Sequence, residues 1–181
     1  MKSYLRNFLV CAALIVPAIC FARWNPAVQN SFFQDLEQAL PAQQPPPLAI
    51  AGGVLSDVNW AGLAWAVNNV KTTHRPLIIS FYSADPNTCV KWNLKGVDDC
   101  GNQVNADFYI ANHYAGQIDV VRINVQFHPQ VMNGPDVQSL PTHFFIGDYT
   151  DSQHYTAVKV WGLMDEQGLE QLIQQTFNIG P

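Results

Sequence analysis

The apolar run from Pro76 to Tyr82 restricts the fold of this chain more than any other stretch. The run reads PLIISFY, and it contains no charged residue and no alternation of polar and apolar side chains. A strand of this kind is typical of sheets that are covered on both faces, as in domains with parallel strands and crossover helices. We therefore expect a central strand of an α/β domain here.

The N-terminal residues 1–22 are typical of a secretory signal peptide. Two basic residues precede an almost unbroken apolar run from Phe8 to Phe21, and Cys20 and Ala22 are small residues at the positions that determine cleavage. We interpret this segment as a signal that is cut after Ala22. The mature protein is then expected to be periplasmic or secreted, with no membrane span.

Two alternatives to a cleaved signal stay open. A retained transmembrane anchor is the first, but a span needs about 20 apolar residues, and Pro17 interrupts this run. Lipidation of Cys20 is the second, but Ile19 stands where a lipoprotein signal has a small residue. Both sequence features favour the cleaved signal.

The charge balance argues against two classes of partner. The whole chain has 9 Lys and Arg against 14 Asp and Glu, and loss of Lys2 and Arg6 with the leader gives 7 minus 14, or −7. An acidic protein without a basic stripe is a poor candidate for binding nucleic acid. It is a poor candidate for anionic membrane surfaces for the same reason.

Residues 23–47 are predicted to form a separate N-terminal helix and linker. Asn25 and Pro26 are typical of a helix start. Apolar residues then recur at helical spacing, at Val28, Phe32, Phe33, Leu36 and Leu40. The proline-rich stretch 41–47 predicts a stiff linker. The apolar face of the helix either packs back on the main domain, which is the commoner arrangement, or docks on a partner.

Residues 48–181 are predicted to form the main domain. Strands are expected at Leu48–Leu55, Pro76–Tyr82, Ile118–Val125, Thr142–Ile146 and Ala157–Trp161. Helices are expected after a cap at Ser56-Asp57, from Asp85-Pro86, from about Asn102 to Gly116 after a loop at Lys95–Gly101, and around Leu169, Leu172, Ile173 and Phe177. This order implies parallel strands with crossover helices, followed by an antiparallel pair.

Three stretches of this domain resemble parts of the thioredoxin fold. The resemblance extends from about Leu48 to Phe177. PLIISFY is similar to the central strand that delivers the family's redox motif, and Ser139-Leu140-Pro141-Thr142 is similar to its cis-proline loop. Trp161-Gly162-Leu163, followed by Gln167-Gly168-Leu169, resembles the last strand and helix. The resemblance implies an α/β thioredoxin-like fold with a central mixed sheet flanked by helices.

The redox motif of that family is missing. Counting from Phe81 by the family's spacing puts Pro86 where the attacking cysteine belongs and Cys89 at the resolving position. Asp85 and Pro86 form a good helix start, so Cys89 is expected almost one turn inside the helix, where the helix terminus has little effect on a thiol. An alternative register, Cys89-Val90-Lys91-Trp92, makes Cys89 a lone nucleophile but leaves that helix start without a role.

Cys89 and Cys100 are the cysteines that remain after the leader is removed. An oxidising compartment favours a disulfide between them. On one continuous helix they would lie about 16 Å apart, whereas a disulfide needs Cα atoms within about 7 Å, so the chain must reverse near Gly96. We interpret this bridge as structural, and the alternative is an unusual redox pair.

A peptide-binding groove is the second candidate site. In redox-active relatives the residue before the cis-proline, here Leu140, offers its backbone to an extended peptide, and the resemblance implies a groove formed by Pro86, Thr88, Leu140 and Pro141. The alternative is that the proline serves only the geometry of the turn. His143 is expected to be an ordinary strand residue. The spacing of Cys and His indicates no metal site, and no motif indicates a cofactor.

Three hypotheses on function follow from these expectations. The favoured one is a non-catalytic periplasmic domain that binds or scaffolds envelope proteins, for example in a secretion or conjugation apparatus, as exported relatives imply. The second is a thiol–disulfide oxidoreductase or isomerase that uses Cys89 with Cys100. The third is a plain structural paralogue without a groove function.

Overall fold

The computed structural model describes residues 31–38, 56–85, 99–128, 137, 139–151 and 154–180. Within them, one sheet has five strands: β1 (Ser56–Asp57), β2 (Leu77–Tyr82), β3 (Asp119–Asn124), β4 (Thr142–Asp151) and β5 (His154–Trp161). The helices are α1 (Ser31–Gln38), α2 (Trp60–Thr73), α3 (Asp99–His113) and α4 (Glu166–Phe177). A 3-10 turn at Val125–Phe127 follows β3.

The sheet is mixed, with the strand order β1-β3-β2-β4-β5. Strand β3 pairs in parallel with β1 and β2, whereas β4 runs antiparallel to both β2 and β5. The buried run of β2 therefore lies at the centre of the sheet, as its apolar sequence predicts. The α/β class and the change from parallel to antiparallel pairing are confirmed.

The side chains of β2 alternate between two apolar cores, one on each face of the sheet. Ile79 and Phe81 belong to the core that α1 and α2 cover. Ile78 belongs to the core that α3 and α4 cover. Because both faces are covered, all residues of β2 up to Phe81 are buried, which explains why the sequence shows no alternation of polar and apolar residues.

Helix α1 packs back on the sheet rather than presenting its apolar face to a partner. Phe32, Phe33 and Leu36 are each at most 4% exposed. The Phe32 ring makes edge contacts with Phe81 and Phe144 at centroid distances of 5.7 and 5.4 Å. This outcome confirms the first of the two arrangements for the described part of the helix, whose three apolar side chains are not available for docking.

Several predicted boundaries differ from the structure. Helix α2 is capped by Asn59, whose side chain accepts a hydrogen bond of 2.8 Å from the Gly62 N–H, so the cap predicted at Ser56-Asp57 is wrong. Asn59 also has the extended backbone of an N-cap. Asp57 is instead the second residue of the edge strand β1, held by parallel pairing with Arg122.

Helix α3 begins at Asp99, three residues before the predicted start, so Asp99–Gly101 are not part of the expected loop. The hairpin strands β4 and β5 extend beyond the predicted segments, to Asp151 and from His154, because each continues to pair past irregularities in the register. The predicted segment Thr142–Ile146 is buried throughout, whereas the tips of the hairpin mix exposed side chains with partly or fully buried ones.

The remaining predictions on organisation fall on residues that the structure does not describe. These are the signal segment 1–22, the helix start at Asn25, the linker 41–47, the strand Leu48–Leu55 and, from Pro86 onward, the helix expected to start at Asp85-Pro86. Of the helices that are described, none has the length and apolarity needed to cross a bilayer.

Candidate functional site

Strand pairing brings the candidate residues to one edge of the sheet, which we call the site edge. Strands β2 and β3 end there at Tyr82 and Asn124, whose positions are paired in the register. Strand β4 begins at the same edge, because Thr142 is paired with Phe81, and β5 ends there, because Trp161 is paired with Thr142. The loops before β4 and after β5 therefore meet at the site edge.

The Leu140–Pro141 peptide bond is cis, as predicted for this loop. The Pro141 carbonyl accepts a hydrogen bond of 2.8 Å from the Gly162 N–H, which joins the loop to the end of β5. The Thr142 hydroxyl donates to the Ser139 carbonyl at 2.5 Å. Leu140 and Pro141 are both buried, so these two predicted groove residues contribute backbone and shape rather than exposed side chains.

Three exposed apolar side chains lie at the site edge and were not predicted. Phe127 is 72% exposed in the turn after β3, and Trp161 and Leu163 are 46% and 42% exposed at and after the end of β5. The fourth large apolar side chain exposed among the described residues is Phe108, on α3. Since three of the four share one edge with the cis-proline, the site edge carries an apolar surface.

Cys100 lies in the first turn of α3 and is disulfide-bonded. Its side chain is 2% exposed and belongs to the core that α1 and α2 cover. Cys89, Pro86 and Thr88 lie outside the described residues, so the pairing of Cys89 with Cys100 and the rest of the groove stay predictions. A sulfur atom buried in this way is not accessible to a protein substrate.

Behind the site edge, the buried carboxylate of Asp107 on α3 contacts polar side chains from three strands. Asp107 accepts hydrogen bonds from the Ser80 hydroxyl at 2.6 Å and from the Gln103 amide at 3.1 Å. The Nε2 atom of His143 lies 2.9 Å from its Oδ1. The Nε atom of Arg122 lies 3.7 Å from its Oδ2. We call these five residues the Asp107 cluster.

The members of the Asp107 cluster are almost fully removed from water. Ser80 and His143 are 0% exposed, and Asp107 is 2% exposed. Burial alone would raise the pKa of Asp107, but the charge on His143 and the hydrogen bonds from His143, Ser80 and Gln103 lower it below the ordinary value. The carboxyl group is therefore ionised at neutral pH, as an ion pair with its basic neighbours requires.

Arg122 links the Asp107 cluster to the site edge. Its guanidinium carbon lies 3.8 Å from the centroid of the Tyr82 ring, at the end of β2. Burial raises the pKa of Tyr82, and its hydrogen bond to Asp57 and the negative charge of Asp57 raise it further, while Arg122 lowers it. Tyr82 therefore remains neutral, and its hydroxyl donates a hydrogen bond to Asp57 at the end of β1.

The prediction that His143 is an ordinary strand residue is incomplete, because it forms a buried pair with Asp107. A signal was present in the sequence. The three central strands each carry a buried polar residue at one matched position: Ser80, Arg122 and His143. Buried polar groups need partners, so three such residues in separate apolar runs indicate that a fourth polar group binds them.

The Asp107 cluster lacks the features of two common catalytic sites. Among the residues that the structure describes, no group of three or more His, Cys, Asp or Glu side chains is placed to hold a metal ion. Ser80 and His143 both contact Asp107, but both are fully buried. A Ser–His–Asp mechanism needs an accessible serine that bonds to the histidine, and this cluster has neither feature.

Comparisons with known proteins bear on the fold. No protein-family model and no curated protein matches the chain. Among solved structures, chloroplastic thioredoxin z matches with a TM-score of 0.54 and 18% identity, over 69% of this chain and 96% of its own. The fold is thioredoxin-like.

Two further structures agree with this thioredoxin-like fold. A mutant thioredoxin from Halobacterium salinarum NRC-1 matches with a TM-score of 0.50 and 17% identity, over 72% of this chain and 97% of its own. The J-Trx1 fragment of ERdj5 matches with a TM-score of 0.50 and 18% identity, over 69% of this chain and 52% of its own. At these identities the thioredoxin-like description applies to the fold, and function has to be argued from the residues of this chain.

Proposed function

We propose that this protein is an exported, periplasmic thioredoxin-like domain that binds an extended segment of an envelope protein at its site edge. Its role is non-catalytic, as a scaffolding component of an envelope assembly such as a secretion or conjugation apparatus. The observation that carries the proposal is the exposure of Phe127, Trp161 and Leu163 at the one edge that also holds the cis-proline loop. Exposed apolar side chains grouped in this way are typical of interaction sites.

The dimensions of the site edge suit an extended segment. Phe127 follows β3 and Trp161 ends β5, and the strand order places β3 and β5 three positions apart. Neighbouring strands lie about 4.8 Å apart, so the ends of β3 and β5 stand roughly 14 Å apart across the edge. An extended chain covers that distance with about four residues, which can place one apolar side chain near Phe127 and another near Trp161 and Leu163.

The state of Cys100 supports a binding role over a catalytic one. Thiol–disulfide exchange requires a thiolate to reach a disulfide sulfur. Cys100 is disulfide-bonded and 2% exposed within an apolar core, and Pro86 takes the position where the attacking cysteine is expected. The oxidoreductase alternative therefore has to rely on Cys89 alone or on a rearrangement that exposes Cys100.

Site-specific photo-crosslinking in cells tests the binding proposal. A photo-reactive phenylalanine derivative is placed at Trp161 or Phe127, and at Phe108 as a control whose exposure lies between theirs but which lies on α3. We expect one adduct of the same mass from positions 161 and 127, in the envelope fraction, and none from position 108. Adducts of equal yield from all three positions, or from none, would contradict the proposal.

A second variant separates binding from accidental proximity. Leu163→Asp introduces a charge on a side chain that is 42% exposed, so it is expected to leave the fold intact and to weaken an apolar contact. The yield of the Trp161 adduct should fall severalfold in this variant. Unchanged yield would mean that the crosslinked protein does not use the apolar surface of the site edge.

A further inference from the structure

The loop after β5 is held from behind by a side chain of α3. The Gln103 carbonyl accepts a buried hydrogen bond of 2.8 Å from the Met164 N–H, while its amide donates to Asp107 at 3.1 Å. Gln103 is 1% exposed and Met164 is 7% exposed. Met164 directly follows Leu163, so this pair of hydrogen bonds fixes the backbone that carries one of the three exposed apolar side chains.

The same carboxylate holds the other parts of the site edge. His143 lies two residues after Pro141 on β4 and contacts Asp107 through Nε2. Ser80 lies two residues before Tyr82 on β2 and donates to Asp107. Arg122 on β3 lies near Asp107 and also against the ring of Tyr82. The Asp107 carboxylate thus contacts side chains of the three strands β2, β3 and β4, each of which ends or begins at the site edge. It reaches the loop after β5 through the side chain of Gln103.

We infer that Asp107 is the positioning residue of the site edge: through Gln103, His143, Ser80 and Arg122 it sets the arrangement of the apolar surface that binds the partner segment. This inference rests on the proposed function for its biological meaning, but its structural content stands apart from any partner. Asp107 does not touch the partner, because its side chain is only 2% exposed. It acts by holding the residues that do.

A merely stabilising role and a positioning role differ in a measurable way. If Asp107 only stabilises the fold, its loss accelerates the exchange of all core amides together. If it positions the loop after β5, its loss releases the Met164 amide locally, because local openings are distinct from global unfolding. Amide hydrogen exchange measured by NMR on the isotopically labelled protein reports both, with Ile79 at the centre of β2 as the marker of the global core.

We expect Asp107→Asn to accelerate exchange at Met164 by about tenfold more than at Ile79, the factor that corresponds to the net loss of about one hydrogen bond. Asp119→Asn is the matched control. Asp119 is also a buried carboxylate, 3% exposed, but it starts β3 at the opposite edge, where it pairs with Arg75 at 3.3 Å. That variant should change the exchange of Met164 and Ile79 by the same factor.

A second variant protects the test against general destabilisation by Asp107→Asn. Gln103→Met removes both hydrogen bonds of the side chain but keeps its approximate volume and leaves the charge of Asp107 in place. Met164 should again exchange about tenfold faster relative to Ile79. Equal acceleration of Met164 and Ile79 in Asp107→Asn would overturn the inference, because local release in Gln103→Met alone would mean that Gln103 holds the loop without Asp107. Local release of Met164 in Asp119→Asn would overturn it as well.

The link to the partner is tested separately by crosslinking. With the photo-reactive group at position 161, the adduct should lose most of its yield in the Gln103→Met background and keep it in the Asp119→Asn background. A full yield in both backgrounds would overturn the positioning role while leaving the binding proposal intact. The exchange measurement needs no partner, so a failure of the proposed function is distinguished from a failure of this inference.

Discussion

At the scale of single residues, the two buried carboxylates of β3 and α3 show how environment sets the sign of an electrostatic contribution. The pKa of Asp107 is lowered, because its charge and hydrogen-bond partners outweigh burial. The pKa of Asp119 is raised, because burial outweighs Arg75 and the hydrogen bond from Asn69. Asp107 stabilises the fold in its ionised form, whereas the fold is more stable when Asp119 is protonated and neutral.

Asp107→Asn is expected to lower the free energy of unfolding by about 3 kcal/mol at pH 7, since removal of one partner leaves buried charge on Arg122 uncompensated. The charges and polar groups that face Asp107 are Arg122, His143, Ser80 and Gln103. The stabilisation by the anion is present above the ordinary value of 3.8 and is lost as the pH falls through the lower pKa of the folded state. The difference between wild type and variant should therefore shrink below pH 3.8.

Urea unfolding at a series of pH values measures this difference, with Asp119→Asn as the variant of opposite sign. Because the folded pKa of Asp119 is raised, its contribution is most favourable below 3.8 and declines as the pH rises through the folded value. The wild type should therefore lose stability relative to Asp119→Asn as the pH rises. A constant difference from pH 7 to pH 3 in the Asp107 variant would refute the assignment of a lowered pKa.

At the scale of secondary-structure elements, helix α1 contributes to the core far more than its length suggests. In addition to the contacts of Phe32, the Phe33 ring lies 4.2 Å from the Tyr155 ring and 5.6 Å from the Tyr149 ring, measured between centroids. These tyrosines belong to the hairpin β4–β5. A helix of eight residues therefore covers the sheet from β2 to the hairpin.

Phe33→Ala should lower the free energy of unfolding by about 3 to 5 kcal/mol, the usual cost of truncating a fully buried phenylalanine. Gln34→Ala is the matched control on the same helix, because Gln34 is exposed, and it should change stability by less than about 0.5 kcal/mol. Chemical denaturation of both variants gives the comparison. Equal stability of the two variants would show that α1 is not part of the folded core in solution.

The elements differ in how well the sequence alone predicts them. Strand β2 was predictable because burial on both faces leaves a continuous apolar run, and α2 and α4 were predictable from apolar residues at helical spacing. The Asp107 cluster was not, because its members come from four elements and lie up to 63 positions apart, from Ser80 to His143. Their meeting depends on the register of strands that are not neighbours in the chain, which no local pattern specifies.

The apolar site edge was missed for a related reason. In the sequence, Phe127, Trp161 and Leu163 look like core residues. Their exposure becomes evident only from where strands β3 and β5 end in the folded structure. In contrast, the Leu140–Pro141 cis bond was predicted from the resemblance to thioredoxins, where the loop sequence itself is informative. Local sequence therefore predicted the backbone of the site better than its surface.

At the scale of the whole molecule, the predicted disulfide between Cys89 and Cys100 is expected to stabilise the fold rather than to take part in thiol–disulfide exchange. Replacement of both cysteines by serine should lower the free energy of unfolding by about 3 kcal/mol, the chain-entropy value for a loop of this size. The reduction potential of the pair should lie below about −300 mV, as for structural disulfides. Thiol alkylation and intact mass across redox buffers measure it.

A potential between about −120 and −270 mV would contradict this expectation, because working oxidoreductases fall in that range. The oxidoreductase hypothesis would then displace the non-catalytic one, and Cys89→Ser should abolish turnover of a model disulfide. Phe108, which is exposed on α3 away from the site edge, offers a control position: Phe108→Ala should change neither the potential nor the turnover.

The packing of α1 against the β4–β5 hairpin also sets the order of events during synthesis. From Phe33 to its ring partner Tyr155 the chain runs 122 residues, so Phe33 lacks this partner until most of the chain has left the ribosome, although Phe32 can meet Phe81 earlier. Long-range contacts of this kind form late, because their loop-closure entropy must be overcome first. A growing chain with this topology cannot complete its core while it is short, and a chain that has not completed its core is the form in which a protein can be threaded through a narrow translocation pore.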